Sequence, residues 1–189
     1  MPDMPDAATP GGEVAALVAV QAALGGRPGV LSAARGLSHF GEHSIGWLAV
    51  ALIGAAVSPR HRWDWLVAGA GAFAAHAAAV VVKRVVRRER PHDPAVAVNV
   101  GTPSRLSFPS AHATSTTAAA LLMGPITGVP LPALLVPPMA LSRMVLGVHY
   151  PTDVACGIAL GAVVAKVVAR LKNRLLVNGQ PSIGVWPNE

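Results

Sequence analysis

The chain alternates long apolar runs with short polar or basic segments. Apolar residues dominate positions 44–57 and 63–86, and no Asp, Glu, Lys or Arg occurs between Arg105 and Arg143. A helix needs about 20 apolar residues to cross the hydrocarbon core of a bilayer. The run at 63–86 meets that length, and the shorter runs are interpreted as short spans. The pattern predicts an all-α, polytopic membrane helical bundle of about five to six helices.

Turn and breaker residues divide the apolar runs. The sequence GPITGVP at 124–130 splits the uncharged stretch into two short predicted spans. A last span is predicted from Pro151, because proline is favoured in the first turn of a helix. Near the N-terminus, a helical pattern over residues 13–24 is too short to span a bilayer. A second short helical segment, over residues 30–40, is amphipathic. Both are predicted to lie at the membrane interface or to form one broken span.

One membrane domain is predicted over residues 13–174. Residues 1–12 are Pro-rich and acidic, and they are predicted to form a disordered N-terminal tail. Residues 175–189 are predicted to form a flexible C-terminal tail. A cleaved secretory signal begins with basic and then apolar residues. The N-terminal sequence lacks that order, so no cleaved signal is expected.

Composition excludes an ordinary soluble domain, since 52% of residues are hydrophobic and only 13% are charged. The net charge of +6 comes from Lys and Arg at the ends of apolar runs. A nucleic-acid-binding surface would place them along a polar face, so no nucleic acid partner is expected. Anionic lipid headgroups or a phosphorylated substrate fit this distribution better. The single Cys156 excludes an intrachain disulfide.

A basic cluster follows the run at 63–86. Lys83 and Arg90 are seven residues apart, which is two turns of helix, and Arg87 lies between them. They are predicted to share one helix face and to bind one anion together. The alternative is a basic helix end whose side chains reach lipid headgroups.

The segment FPSAHAT suggests an anion site at a helix start. Ser110 is a predicted N-cap, which leaves backbone N–H groups free at the positive end of the helix. His112 falls within the first turn, and such a helix start binds phosphate. Alternatively, His112 is a polar residue bonded to a neighbouring carbonyl.

The segment LSRMVLGVHYPTD joins three ionisable side chains. His149 and Asp153 are spaced i and i+4, so the carboxylate can accept from one ring nitrogen and make the imidazole a better nucleophile or base. Arg143 offers a planar fork to phosphate oxygens. A purely structural His–Asp pair is the alternative.

If the predicted spans alternate across the bilayer, all these segments lie on one membrane face. The first span then begins near the same place, which puts further polar residues near the mouth of the site. Their predicted role is to read a substrate headgroup, and the alternative is that they are ordinary interfacial residues. These residues are His39, Glu42, His43, Asn99 and Arg105. His76, among alanines, is predicted to hydrogen-bond between helices instead.

Together, three motifs resemble the signature of the type 2 phosphatidic acid phosphatase superfamily, which also contains vanadium haloperoxidases and bacterial acid phosphatases. The motifs are K-x6-R-P from Lys83, P-S-A-H from Pro109 and S-R-x5-H-x3-D from Ser142. One departure is Ala111, where the family usually has Gly. Alanine keeps the backbone N–H, so phosphate binding is expected to survive unless that position needs a positive φ.

The resemblance implies a mechanism for this chain. By that resemblance His149 attacks phosphorus and becomes a phosphohistidine, Asp153 orients it, and His112 protonates the leaving oxygen and then activates water. The phosphate would be held by the side chains and backbone of Lys83, Arg90, Ser110, Ala111 and Arg143. No metal ion and no cofactor are implied.

The resemblance and the membrane setting together imply a lipid phosphate as substrate. The chain is similar to small actinobacterial members of the family that dephosphorylate decaprenyl-phosphoryl-5-phosphoribose for cell-wall arabinan precursors. Phosphatidate, phosphatidylglycerophosphate and polyprenyl pyrophosphate are the alternative substrates. Two other functions also stay open: a haloperoxidase, and a non-catalytic scaffold associated with other lipid-pathway enzymes. Arg60 and Arg62 lie opposite the site, which favours a multi-pass protein with an extracytoplasmic catalytic face.

Overall fold

The computed structural model describes residues 11–178, and its regular elements are helical. It contains α1 (Gly12–Leu24), α2 (Val30–Gly41), α3 (Ile45–Val57), α4 (Arg62–Val86), α5 (Ala111–Thr127), α6 (Leu131–Val145) and α7 (Pro151–Asn178). The predicted all-α class is confirmed, and residues 11–178 form seven α-helices because both short N-terminal segments form separate helices. The tails predicted at 1–12 and 175–189 lie mainly outside the described residues.

Helix α5 is the centre of the bundle. Its residues from Ala113 to Ala120 are buried, and it packs against α4, α6 and α7. Small residues allow these helices to approach closely. A Cβ at Gly157 would lie 2.7 Å from the Ser110 carbonyl oxygen, and one at Gly161 would lie 2.9 Å from Thr117 Cβ. The two glycines of α7 therefore face α5 at backbone contact distance.

Helix α3 covers the other side of α4. Trp47 and Ala51 of α3 pack with Ala72 of α4 and Met123 of α5 in one buried cluster. The indole Nε1–H of Trp47 donates to Thr116 Oγ1 at 3.2 Å. This bond satisfies a polar group that would otherwise be costly to bury.

Much of the outer surface is apolar. Residues 30–57, 59–86 and 151–175 form helical runs that are long and apolar enough to cross a membrane. Large side chains on them point outward; Ile53 is 63% exposed and Val81 is 61% exposed. Apolar surface of this extent marks contact with lipid rather than water, so the chain is a membrane protein.

The first of these runs is not one straight helix. A 3-10 turn over Glu42–Ser44 separates α2 from α3, and His43 and Ser44 have positive φ angles of 49° and 64°. The segment predicted at 30–40 thus belongs to the same apolar run as the span predicted at 44–57. The turn lies at the end of the bundle that carries the motif residues.

The predicted helical register of the basic cluster is wrong. Helix α4 ends at Val86, and Arg87 adopts a left-handed conformation with φ 56°. The chain beyond it is extended, since Glu89 forms an isolated antiparallel bridge with Leu106 and the Arg90 N–H donates to the Arg105 carbonyl. Arg90 therefore reaches the site from an extended segment, and it shares no helix face with Lys83.

Candidate active site

A cavity of about 680 Å³ opens at the end of the bundle where α2, α4 and α5 meet the segment 87–110. Its inner wall carries side chains from all three sequence motifs. These side chains are Lys83, Arg90, His112, Arg143 and His149. The segments that helix alternation assigned to one face thus converge on a single cavity.

His149 lies deep in the cavity with Asp153 behind it. The ring is 1% exposed, and Asp153 is fully buried. His149 Nδ1 is 3.7 Å from Asp153 Oδ2, which is a close ion-pair distance but longer than a hydrogen bond. Catalytic contacts of this kind commonly tighten only when substrate binds.

The hydrogen-bond partners of His149 select its tautomer. Arg90 Nη1 lies 3.2 Å from Nε2. Guanidinium groups only donate, so Nε2 must be the acceptor and the proton must sit on Nδ1, facing Asp153. Burial, together with the nearby charges of Arg90, Arg143 and Lys83, holds the pKa of His149 well below its ordinary value. These effects favour the neutral ring, with the Nε2 lone pair accepting from Arg90.

Backbone carbonyls position two of the cations. Lys83 Nζ donates to the Leu106 carbonyl at 3.0 Å. Arg90 donates from Nε to the Ser104 carbonyl at 2.8 Å and from Nη1 to the Val148 carbonyl at 2.7 Å. Carbonyls of the segment 87–110 and of the α6–α7 loop thus hold both cations at the cavity without neutralising them.

Arg143 is the least satisfied polar side chain at the site. It is 2% exposed, and its Nε and Nη1 have no hydrogen-bond partner within residues 11–178. A buried guanidinium with unpaired donors is costly, and each such group in a native structure calls for an explanation. A tetrahedral oxyanion in the adjacent cavity would supply the missing acceptors.

The start of α5 completes the anion-binding wall. Ser110 is a buried N-cap whose Oγ accepts from Ala113 N at 3.4 Å, and its side chain does not line the cavity. Ala111 lines it as the first residue of α5. Non-glycine positive φ angles in residues 11–178 occur at His43, Ser44 and Arg87, so the position of Ala111 does not require glycine.

Helix α2 orients the second histidine. His112 Nε2 lies 2.8 Å from the Ser38 carbonyl. A carbonyl only accepts, so Nε2 carries a proton and Nδ1 is left to exchange one with a ligand. Gly41 permits this approach, because a Cβ there would lie 2.6 Å from His112 Cδ2. Sequence reasoning had placed His39 of α2 near the mouth of the site, but it had not connected α2 to His112.

The residues predicted near the mouth divide into two groups. His39, Glu42 and His43 line the cavity. Asn99 and Arg105 are not among its lining residues. Asn99 donates to the Ala97 and Val145 carbonyls at 3.2 and 3.3 Å, so its side chain holds the loop together. Arg105 is exposed on that loop.

Two residues at the site were not predicted there. His76 lines the cavity with a buried Nδ1 that lacks a partner among the described residues, and its ring lies 5.8 Å from that of His43. His76 precedes Lys83 by seven residues, which is two helical turns, and this spacing could have indicated that both side chains face the cavity. Arg88 donates to Asp153 Oδ1 at 3.1 Å. Nothing in the sequence distinguishes Arg88 from the neighbouring arginines.

The PAP2 superfamily profile matches residues 64–176. The decaprenylphosphoryl-5-phosphoribose phosphatase of Mycobacterium tuberculosis H37Rv is 72% identical over 159 residues, which cover 84% of this chain and 90% of the relative. The protein of the same name from Mycolicibacterium smegmatis is 76% identical over 148 residues, which cover 78% and 82%.

A solved structure shares the fold. The transmembrane PAP2 type phosphatidylglycerolphosphate phosphatase from Bacillus subtilis superposes with a TM-score of 0.67, covering 85% of this chain and 86% of that chain at 24% identity. The profile match includes all three motifs and most of the bundle. By sequence, fold and the arrangement of these motifs around one cavity, the chain belongs to the PAP2 superfamily.

Proposed function

We propose that the chain is a lipid phosphate phosphatase that hydrolyses the phosphomonoester of decaprenylphosphoryl-5-phosphoribose through a phosphohistidine, without a metal ion. The observation that carries the proposal is the buried guanidinium of Arg143, which has two donors without a partner within residues 11–178 and lines the same cavity as His149. The names of the two mycobacterial relatives support this choice of substrate. Its product would serve cell-wall arabinan precursor synthesis.

In the first step, His149 Nε2 attacks phosphorus and an N–P bond forms. The bond between phosphorus and the ribose oxygen breaks, and the leaving oxygen takes a proton from Nδ1 of His112, which enters this step protonated on both ring nitrogens with Nε2–H on the Ser38 carbonyl. Asp153 stabilises the positive charge that develops on the His149 ring. Arg143, Arg90 and the other donors of the cavity hold the remaining phosphate oxygens as their charge redistributes.

In the second step, His112 takes a proton from a water molecule. The oxygen of this water attacks phosphorus, the N–P bond breaks, and inorganic phosphate leaves while His149 returns to its neutral state. Residues 11–178 contain no group of three or more His, Cys, Asp or Glu side chains arranged to hold a metal ion. The scheme needs none, because the cations of the cavity stabilise the charge.

The cavity walls suit a sugar phosphate on a long apolar tail. His39, Glu42 and His43 offer hydrogen-bonding groups to ribose hydroxyls on one side. Phe73 and Ala77 of α4 form an apolar wall on another side. Phosphatidate, phosphatidylglycerophosphate and polyprenyl pyrophosphate would share the phosphate contacts but offer no ribose.

The proposed protein is multi-pass, with the site on the extracytoplasmic face. Lys83, Arg88 and Arg90 bond within the protein at the catalytic end. Arg60 and Arg62 lie at the α3–α4 turn, on the opposite end. Exposed arginines occur at both ends of the bundle. The proposed orientation therefore rests on the arginines of the α3–α4 turn together with the exposed basic residues near the end of α7, because cations beside the ends of spans favour the cytoplasm. Association with other lipid-pathway enzymes belongs to the scaffold alternative.

Phosphate release by purified protein over a panel of these lipids tests the function. We expect release from decaprenylphosphoryl-5-phosphoribose to persist in EDTA, to be inhibited by vanadate and to be lost in His149→Ala. Rapid quenching in alkaline detergent should trap an enzyme-bound phosphate in the wild type, and that phosphate should be released on acidification because the N–P bond of a phosphohistidine is labile in acid. A strict metal requirement, or full turnover by His149→Ala, would refute the scheme. If His149→Ala retains the cellular role, the scaffold alternative is favoured.

A further inference from the structure

Arg88 lies behind the proposed nucleophile rather than in the cavity. Its Nη1 donates to Asp153 Oδ1 at 3.1 Å and to Thr152 Oγ1 at 2.7 Å, and its Nη2 pairs with Glu13 Oε2. The guanidinium carbon lies 4.1 Å from the centre of the Tyr150 ring. Arg88 thus connects helix α1 to the start of α7 through its contacts.

The two oxygens of Asp153 have different partners. Oδ2 accepts from Tyr150 N at 2.8 Å and faces His149 Nδ1 at 3.7 Å. Oδ1 is bound by Arg88. In the part of the chain that the structure describes, the ion-pair partners of Asp153 are Arg88 and His149. Removing Arg88 would leave Oδ1 without this donor and a fully buried carboxylate without its permanent counter-charge.

Glu13 holds the other end of Arg88. It also accepts from Thr152 N at 3.2 Å. A second side chain of α1 acts nearby, since Gln21 accepts from Ala97 N at 3.0 Å and donates to the Val145 carbonyl at 3.1 Å. Helix α1 therefore binds both to the segment 87–110 and to the two ends of the α6–α7 loop. Glu13 lies outside the residues 64–176 that the superfamily profile matches.

We propose that Arg88, held by Glu13 of helix α1, is a positioning residue that orients the Asp153 carboxylate toward His149. The inference rests on the proposed function, because it assigns Arg88 an effect on the nucleophile of that reaction. Arginine suits the role, since its planar fork binds three acceptors at once, which a lysine ammonium on a flexible stem cannot do in the same geometry.

The test compares Arg88→Gln with the matched variant Arg87→Gln. Arg87 is exposed and lies outside the cavity lining. We expect Arg88→Gln to lower kcat about tenfold to a hundredfold, because misplacing a catalytic group by about 1 Å costs that much, with KM within about twofold. Arg87→Gln should match the wild type, and Arg88→Lys should restore part of kcat. A KM effect alone would overturn the proposal.

A double-mutant cycle separates positioning from general stability. If Arg88 acts through Asp153, Arg88→Gln should change kcat by less than about twofold in an Asp153→Asn background, since coupled residues are not additive. Glu13→Gln should lower kcat less than Arg88→Gln does, and it should have no further effect in the Arg88→Gln protein. If the fold losses of kcat from the two single substitutions multiply in the double variant of either cycle, the inference is overturned.

Parallel assays distinguish this inference from the proposed function. If His149→Ala releases phosphate as fast as the wild type, the function itself fails. If His149→Ala is inactive and the Arg88 and Asp153 losses multiply, only the positioning role fails. Should Arg88→Gln not fold, the same cycle with Arg88→Lys decides, because that variant keeps the charge and loses the fork.

Discussion

In the proposed reaction, His149 must be neutral to attack phosphorus, yet it develops positive charge as the N–P bond forms. The structure provides for both states. Burial and the cation of Arg90 beside Nε2 favour the neutral ring before the reaction. A phosphate dianion bound among the same cations offsets their repulsion, and Asp153 on the other side stabilises the charge that then develops.

The pH dependence follows from this arrangement. Activity falls as pH drops through the His149 pKa, and that pKa is depressed, so the acid limb of kcat/KM should lie below the ordinary histidine value of about 6.5. Arg90→Gln removes the cation next to Nε2. We expect its residual activity to show an acid limb shifted upward toward that value, measured as kcat/KM between roughly pH 4 and 9.

Arg87→Gln is the control for the pH profile, since it removes one cation from the same segment without touching the cavity. Its acid limb should coincide with that of the wild type. An acid limb at or above the ordinary histidine value in the wild type would contradict a neutral, buried His149 as the nucleophile. So would an Arg90→Gln profile whose limb stays in place.

At the scale of single elements, α4 links the phosphate end of the cavity to the lipid. Its cavity-lining residues recur every three or four positions and thus share one face. These are Phe73, His76, Ala77, Val80, Val81, Lys83 and Arg84. From Lys83 to Phe73 the face extends for about 15 Å along the helix axis. Phe73 is 51% exposed, so this face is open at the apolar outer surface of the bundle.

If the tail of the substrate lies along this face, Ala77→Trp should obstruct it. We expect kcat/KM for the decaprenyl substrate to fall about tenfold or more, as for loss of a hydrophobic contact of 1–3 kcal/mol. Release from a small soluble monoester such as ribose 5-phosphate should stay within about twofold. Ala74→Trp is the control, because Ala74 is also exposed on α4 but does not line the cavity. Equal losses on both substrates would contradict this tail path.

For the molecule as a whole, all the proposed chemistry lies at one end of the bundle. The α5–α6 turn with Val129 lies at the opposite end, since α5 starts at the cavity. The orientation of the whole molecule therefore determines which side of the membrane receives the products. Distant exposed positions at the two ends can report it.

Labelling of single cysteines in intact cells tests this orientation in a Cys156→Ser background. With an extracytoplasmic site, Ala95→Cys on the connecting segment should react with an impermeant maleimide, while Val129→Cys should react only after permeabilisation. Both residues are exposed in the structure. Cys156→Ser without an added cysteine should remain unlabelled. The reverse pattern would place the site in the cytoplasm.

Sequence reasoning came closest where spacing within one element determines geometry. The i, i+4 relation of His149 and Asp153 and the cap at Ser110 depend on local helix geometry, and both appear in the structure. The register of Arg90 was missed because Arg87 ends α4 one turn early. Nothing in a row of arginines shows which of them leaves the helix.

The amino-acid sequence by itself determined the all-α membrane class, the three motifs and their placement at one end of the bundle. The class and the shared end follow from the hydrophobic pattern and the alternation of spans, and the motifs follow from the resemblance to a known family. Only the tertiary structure decided which side chains serve those motifs from a distance. Ser38 orients His112 across 74 positions, and Glu13 holds Arg88 across 75. Contacts between residues so far apart depend on how helices pack, and no periodicity along the chain encodes them.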